Sequence, residues 1–401
     1  MKKHCFKVMI LAATFACAVF QAKAQSPDEV LNLMISKGII SQSDADSLRA
    51  EAAIKAKEAK DKQKSFNLTT SRLVQLSSYV QIRYQNNDQV GVIDGMDINR
   101  ARLDVRGNIL PEWEYRLQLE FAGSPKALDA YMTFKPYDYI KVQAGQFKVP
   151  FSPENNIADD KMELINRSQV VEALVARAKD VIGNQNGRDL GLMAFGSLLK
   201  IKDHYIIDYY IGGFDGQGIN VTDKNNSKDI AGRLLFHPAT GLEIGGAYYN
   251  GYDNITTTSG TITTSRNQIR SRIGGELGYT WKNLAVKSEY IAGKDGATNT
   301  DGYFKRAGYY VQASYFIKPK KFQFVVKYDT YESDVKDPAA GMGDDVSTWY
   351  IFGANYFFND YAKIQLNWTY KTGNIEDTKP TELTARQKSN DLVSVQVQIG
   401  F

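Results

Sequence analysis

The chain has 401 residues, 23% of them charged, with 24 tyrosines, 19 phenylalanines, 4 tryptophans and 32 glycines. Its formal net charge is +4, and Lys2, Lys3, Lys7 and Lys23 carry all of it, so a whole-molecule basic field for nucleic acid is excluded. Both cysteines, Cys5 and Cys17, fall within the first 24 residues, which leaves the rest without a disulfide, a thiol nucleophile or a thiolate metal site.

Lys2, Lys3 and Lys7 precede an apolar stretch over 8–20 and the small residues of Ala22-Lys23-Ala24. This order predicts a secretory signal peptide over 1–24, cut before Gln25. A second reading makes Cys17 a lipid-attachment residue, but Thr14 stands where an aliphatic residue is expected and the apolar run continues past Cys17. Beyond the presequence no run of about 18 apolar residues exists, so no helix there can span a bilayer.

Residues 25–66 are predicted to be a helical periplasmic stalk. Pro27, Asp28 and Glu29 suit a first helical turn, and Val30, Leu31, Leu33, Met34 and Ile35 lead up to Gly38 as a stop. A second helix, capped by Ser41 or Ser43, carries Asp44, Asp46 and Glu51 early and its lysines late, as the helix dipole favours. The segment is either a solvated stalk or a short coiled-coil or peptidoglycan contact made through Leu31, Met34, Ile39, Ala45 and Leu48.

From Ser71 the sequence alternates with period two. Val74, Leu76, Val80, Ile82 and Tyr84 share one face, and Gln75, Ser77, Tyr79, Gln81 and Arg83 the other. The same alternation recurs near 71–85, 97–109, 112–121, 128–135, 139–147, 188–197, 204–213, 228–236, 242–250, 269–281, 284–292, 307–317, 322–331, 347–357, 361–370 and 390–401. Short turns alternate with longer polar loops between these segments. That rhythm predicts an all-β fold, a 16-stranded antiparallel up-and-down transmembrane β-barrel over 67–401, preceded by the short N-terminal helical segment. An even strand number places both termini in the periplasm, with the barrel in the outer membrane of a Gram-negative-type bacterium. The last strand ends in Phe401, which is similar to the C-terminal aromatic that bacterial barrel-insertion machinery reads.

Residues 148–187 form the longest loop, with a helical pattern over 161–178. Folded inward it would narrow a wide bore, and Lys161, Glu163, Arg167 and Arg177 then become candidate constriction residues. Folded outward it is a cap or a trimer contact. By parity, Arg100, Arg102, Arg106, Arg116, Lys141, Arg233 and Arg272 face the lumen, together with Arg83, Arg270 and Lys287. Asp104, Glu114, Glu120, Asp208, Glu276 and Glu289 share those faces. Two readings stay open: a mixed, weakly selective pore, or an arginine ladder that passes anions stepwise, since guanidinium groups bind oxyanions in a fork.

Gly145-Gln146-Phe147-Lys148-Val149-Pro150-Phe151 resembles a motif of the phosphate-selective porin O and P family. Arg100-Ala101-Arg102-Leu103, Asn166-Arg167-Ser168, Gly187-Arg188-Asp189-Leu190-Gly191 and Phe214-Asp215-Gly216-Gln217-Gly218 resemble it in the same order, as does Lys37-Gly38-Ile39-Ile40 near the N-terminus. The resemblance implies a homotrimeric sixteen-stranded porin with an infolded third loop and an arginine-rich anion path. It carries over Lys148, Arg100 and Arg102, and with them Arg188 and Arg233. Strict alternation from Lys141 sends Lys148 toward lipid; a bulge at Gly145 would return Gln146 and Lys148 to the lumen and put Phe147 in the membrane.

The expected function is therefore passive diffusion of small hydrophilic solutes, with preference for anions such as phosphate. Alternatives are a non-selective general porin and a structural barrel anchored to the cell wall. The expected partners are small anions, outer-membrane lipid, two further copies of the chain and, through the stalk, peptidoglycan; nucleic acid is not among them. An enzyme is not expected, because the only histidines beyond the presequence, His204 and His237, lie near predicted periplasmic turns. Asp159-Asp160 and Asp344-Asp345 read as solvated loop charges rather than metal ligands, and no cofactor or metal is called for.

Overall fold

A computed structural model describes residues 32, 35–37, 73–87, 94–177, 180, 186–259, 262–296, 303–333, 335, 346–373 and 391–401. The expected presequence and stalk lie almost wholly outside these residues. The chain divides into two units, Met1–Leu68 and Thr69–Phe401, and the second carries the sheet.

Sixteen strands follow one another: β1 (Gln75–Asn87), β2 (Gly95–Leu110), β3 (Trp113–Glu120), β4 (Lys126–Tyr137), β5 (Ile140–Lys148), β6 (Arg188–Ile201), β7 (His204–Phe214) and β8 (Asp229–Ala239). Next come β9 (Leu242–Ser259), β10 (Ile262–Trp281), β11 (Leu284–Gly296), β12 (Tyr303–Lys318), β13 (Phe322–Glu332), β14 (Val346–Phe357), β15 (Ala362–Gly373) and β16 (Leu392–Gly400). Each pairs with its sequence neighbours, and β1 closes antiparallel on β16, from Tyr79 opposite Gly400 to Asn87 opposite Leu392. All sixteen expected segments are strands. The largest difference in extent is at β9 and β10, which pair out to Ser259 opposite Ile262. There threonines dominate, and β-branched polar residues favour extended backbone without showing an apolar alternation.

Short turns, such as those between Leu110 and Trp113 or Trp281 and Leu284, lie at the end where the chain enters β1 and leaves β16. The longer connections lie at the other end. In the Ala239–Leu242 turn, Gly241 has φ +81, and a Cβ there would stand 2.1 Å from the Thr280 carbonyl oxygen.

The wall is inside-out relative to a soluble protein. Leu192, Ile211, Ile230, Leu234 and Ile273 on the outer face are each more than half exposed, whereas Gln81, Gln323, Asn355 and Gln396 on the inner face are almost fully buried. That polarity fits hydrocarbon outside and a polar interior. Toward the loop end a tyrosine row crosses β12 to β15, with ring centroids 5.8 Å apart for Tyr309–Tyr328, 5.3 Å for Tyr328–Tyr350 and 6.3 Å for Tyr350–Tyr370. Trp281, Tyr315, Phe358 and Tyr361 are exposed near the short-turn end. Two such belts are what membrane interfaces select.

The apolar core lies inside the barrel. Phe147, Val149, Phe151, Val170, Val171 and Leu174 pack against Met193, Phe214, Tyr249, Ile291 and Tyr310 of the wall. The long loop therefore folds into the bore. Its expected helix over 161–178 is not continuous: α1 (Pro153–Asn156), a 3-10 turn (Asp159–Lys161) and α2 (Gln169–Leu174) take its place. Between the last two, the barrel wall competes for the backbone. Asn367 accepts from the Ile165 N–H at 2.7 Å, Lys363 donates to the Met162 carbonyl at 2.8 Å, and Asn355 donates to that of Glu163 at 2.7 Å. Peptide groups satisfied by wall side chains gain nothing further by closing a helical turn.

Candidate pore lining and constriction loop

The loop begins at the Gly145–Phe151 motif. Gly145 sits opposite Tyr131 and Gly191, and β5 stays in step with both neighbours there, so the expected bulge is absent. Its φ is +127 instead, and a Cβ would lie 2.3 Å from the Ala130 carbonyl oxygen. Gly145→Ala is expected to lower the stability of the folded barrel by about 1–3 kcal/mol, the scale of a residue forced into such backbone. Thermal unfolding followed by heat-shifted gel mobility checks this, with no change as the contrary result.

Phe147 does not face the membrane as alternation with a bulge required. It is 2% exposed and packs edge-on against Tyr131 and Phe214, with centroids 6.0 and 5.5 Å away. Lys148 turns to the loop, where its ammonium donates to the Ile157 carbonyl at 2.7 Å. Ser152 caps α1, accepting from Asn155 N–H at 3.2 Å, and its hydroxyl donates to Glu289 at 2.9 Å.

Loop carboxylates hold the rest in place. Asp159 has no exposed side-chain surface and is ion-paired with Arg167 and Arg102, with Arg100 at 3.6 Å. Burial opposes its ionisation, but Arg167, Arg102, Arg100 and Lys148 outweigh burial and hold the carboxyl well below the usual range. The reading of Asp159 as a solvated charge is thus corrected. The 3-10 turn also meets the closing strands: Gln81 donates to the Asp159 carbonyl at 3.3 Å, and Gln398 to that of Asp160 at 3.3 Å.

Glu154 accepts from Lys327 at 2.5 Å and from the Ser168 N–H at 2.7 Å. Asp329 accepts from the Ser168 hydroxyl and the Gln169 N–H at 2.8 and 2.9 Å, anchoring the start of α2. Glu163 accepts from Lys287, Gln312, Ser314 and Gln323 at 3.0, 2.7, 2.8 and 2.8 Å. Burial raises and Lys287, Ser314 and Gln323 lower the Glu163 carboxyl, with a net shift downward.

The expected arginine ladder separates into two sets. One set is buried and paired. Arg102 bonds Glu120 at 2.7 Å besides Asp159, and Arg188 bonds Asp129 at 2.6 Å. Arg233 meets Glu276 at 2.7 Å; Arg272 meets Asp295 at 2.7 Å and donates to the Leu174 carbonyl at 2.8 Å. Arg177 bonds Glu172 at 3.2 Å and Asn155 at 2.7 Å. Of these, Arg102 and Arg272 fasten the loop to the wall, Arg188 and Arg233 pair with carboxylates of the wall, and Arg177, like Arg167, pairs within the loop. The other set is more open: Arg106 is half exposed with Asp104 at 3.6 Å, and Arg116 is a quarter exposed with Asp104 at 2.5 Å. Lys161 is 71% exposed with Asp160 at 3.3 Å. Lys141 lies over the Phe195 ring, 5.8 Å from its centroid.

Sequence reasoning passed over Glu154, Lys327, Asp329 and Lys363 as site residues. Their signal was weak: Lys327 and Asp329 sit on the polar face of a strand with ordinary alternation, and nothing local shows that a loop some 160 to 200 residues away in sequence will meet them.

Two cavities open on the short-turn side of the loop. One, of about 450 Å³, is lined by Asn156, Arg233, His237, Glu243, Glu276 and Lys287. The other, of about 230 Å³, is lined by Asp160, Lys161, Glu163, Gln323, Lys363 and Gln398. His237 contacts Asp208 at 3.0 Å, and His204 meets the His237 carbonyl at 2.9 Å, so both histidines belong to the short-turn end.

A closed barrel with an apolar exterior, a charged interior and one loop folded across its bore defines a porin, a channel rather than an enzyme. The sequence model of phosphate-selective porin O and P matches residues 74–401, and the chain belongs to that family of outer-membrane porins. Among solved structures, OmpT of Vibrio cholerae has a TM-score of 0.56 at 11% identity, over 82% of this chain and 97% of that one. The channel DcaP of Acinetobacter baumannii gives the same four values. Salmonella typhi OmpF, in complex with daunomycin, has a TM-score of 0.58 at 14% identity, over 82% and 97%. At such identities the likeness is one of fold. No curated protein sequence matches the chain.

Proposed function

We propose that the protein is a passive diffusion pore for small hydrophilic solutes with a modest preference for anions, inorganic phosphate among them. The observation that carries this reading is on the loop. Its carboxylates Glu154, Asp159 and Glu163 are engaged by wall cations and amides, whereas Lys161 stands largely exposed beside the second cavity. The loop's most open charge beside that cavity is then positive, Lys161 being 71% exposed against 25% for its ion-pair partner Asp160. Pairing of the arginines argues for modest preference rather than a ladder of free guanidinium groups.

The zero-current potential of purified channels across a salt gradient tests the reading. An anion-sided potential is expected in the wild type, and Lys161→Glu is expected to move it toward zero or to the cation side. A wild-type potential at zero would make this a general porin, the reading that the Arg233–Glu276 and Arg188–Asp129 pairs favour. The short-turn end, which holds both ends of the barrel sequence, is taken as periplasmic. A homotrimer is proposed from the family resemblance, and one of the solved OmpT structures of Vibrio cholerae is a trimer form. Chemical cross-linking in outer-membrane vesicles checks the assembly.

A further inference from the structure

Four donors from three strands converge on the one carboxylate of Glu163. Lys287 of β11 and Gln312 of β12 bond one oxygen, and Ser314 of β12 and Gln323 of β13 bond the other. Two donors to each oxygen is the complement of a planar, two-oxygen anion. Gln312, Ser314 and Gln323 are buried wall residues, so the cradle belongs to the barrel and not to the loop that fills it.

Three further features favour the opening of this contact. The Glu163 backbone is held separately, its carbonyl accepting from Asn355 at 2.7 Å and Gln365 at 3.2 Å, so the side chain can leave while the loop stays in place. The cradle adjoins both cavities: Lys287 lines the first, and Glu163 and Gln323 line the second. Lys287 remains partly exposed at 38%. Asp159, by contrast, has no exposed surface.

We propose that Lys287, Gln312, Ser314 and Gln323 form a carboxylate-binding station of the channel, which Glu163 occupies as a resident competitor for small carboxylate solutes. A side chain tethered to a held backbone competes intramolecularly, and a solute displaces it when its own concentration matches that effective concentration. Displacement of Glu163 joins the two cavities and admits the solute between them. The inference rests on the porin reading but not on its anion preference.

The test is acetate titration of the chloride current through wild-type and Glu163→Ala channels in planar bilayers at constant ionic strength. Acetate is expected to lower the chloride conductance of the variant at a concentration about tenfold or more below that needed for the wild type, because the resident is gone. Adding Lys287→Met is expected to abolish that sensitivity while chloride current persists. Equal acetate sensitivity of wild type and variant, or sensitivity that survives Lys287→Met, overturns the station. If the alanine variant does not form channels, Glu163→Gln keeps the side chain's size; its acetate sensitivity is expected to exceed that of the wild type, and equality overturns the proposal. Absence of chloride current in the wild type would instead remove the porin reading itself.

Discussion

Asp159→Asn channels are expected to be wider, noisier and more anion-preferring than the wild type. The carboxylate is buried among Arg102, Arg167 and Arg100, and its loss leaves those cations with one negative charge fewer. Breaking a buried ion pair from one side costs about 3–5 kcal/mol, because the remaining charge is stranded. The barrel survives, since the strand ladder does not run through Asp159; what fails is the docking of the loop's first half. Single-channel conductance and zero-current potential, recorded in the same bilayer, check both effects. Wild-type values for both would show that the loop is held elsewhere. The pH dependence follows from the depressed carboxyl. Stability from a carboxylate held below its unfolded value of about 3.9 is fully present above that value and is lost as pH falls through the lower folded one. Loop opening in the wild type therefore belongs to strong acid, and moving from neutral to mildly acid solution leaves conductance through this contact unchanged.

Val171→Asp is expected to have the second large effect, by a different route. Val170 and Val171 of α2 are fully buried in the interior core, and Val170 is so close to the wall that a Cβ on Gly308 would stand 2.9 Å from it. A carboxylate at 171 would be desolvated without a partner, a penalty of several kcal/mol. Expulsion of the helix empties the loop-side half of the bore, and a sixteen-strand barrel then keeps an open aqueous channel. Conductance is expected to rise roughly twofold or more on that ground. Liposome swelling with sugars of increasing size gives a second readout, and the gel mobility of the folded barrel is expected to stay unchanged. An unaltered size limit would show that α2 does not set the passage.

The strands were readable because a wall between hydrocarbon and water imposes period two; Val393 to Phe401 shows it without interruption, and Val74 to Tyr84 with Ser78 as the one break. The same rule misleads where the inside is also apolar. Phe147, Phe214, Tyr249 and Tyr310 face a loop core rather than water, and alternation cannot tell that burial from lipid exposure. Arginine parity placed Arg102, Arg116 and Arg233 on the correct face, but parity carries no word about partners. Their pairing with Asp159, Asp129 and Glu276 depends on neighbours across strands and on a loop whose path is set by tertiary contacts. The helix expected over 161–178 failed for a related reason: its apolar spacing was real, yet Asn367, Lys363 and Asn355 claimed its peptide groups.

The grip of Gln81 and Gln398 on one turn of the loop bears on how the barrel is assembled. Strands β1 and β16 must find each other across more than 300 residues of chain, and a slip of two residues would keep every side chain on its proper face. Alternation alone therefore cannot proofread the seam. The carbonyls of Asp159 and Asp160 are adjacent fixed marks, one read by each closing strand. A loop seated inside thus ties the seam to its own path, since Gln81 and Gln398, which also bond each other at 2.7 Å, meet neighbouring carbonyls of a single turn.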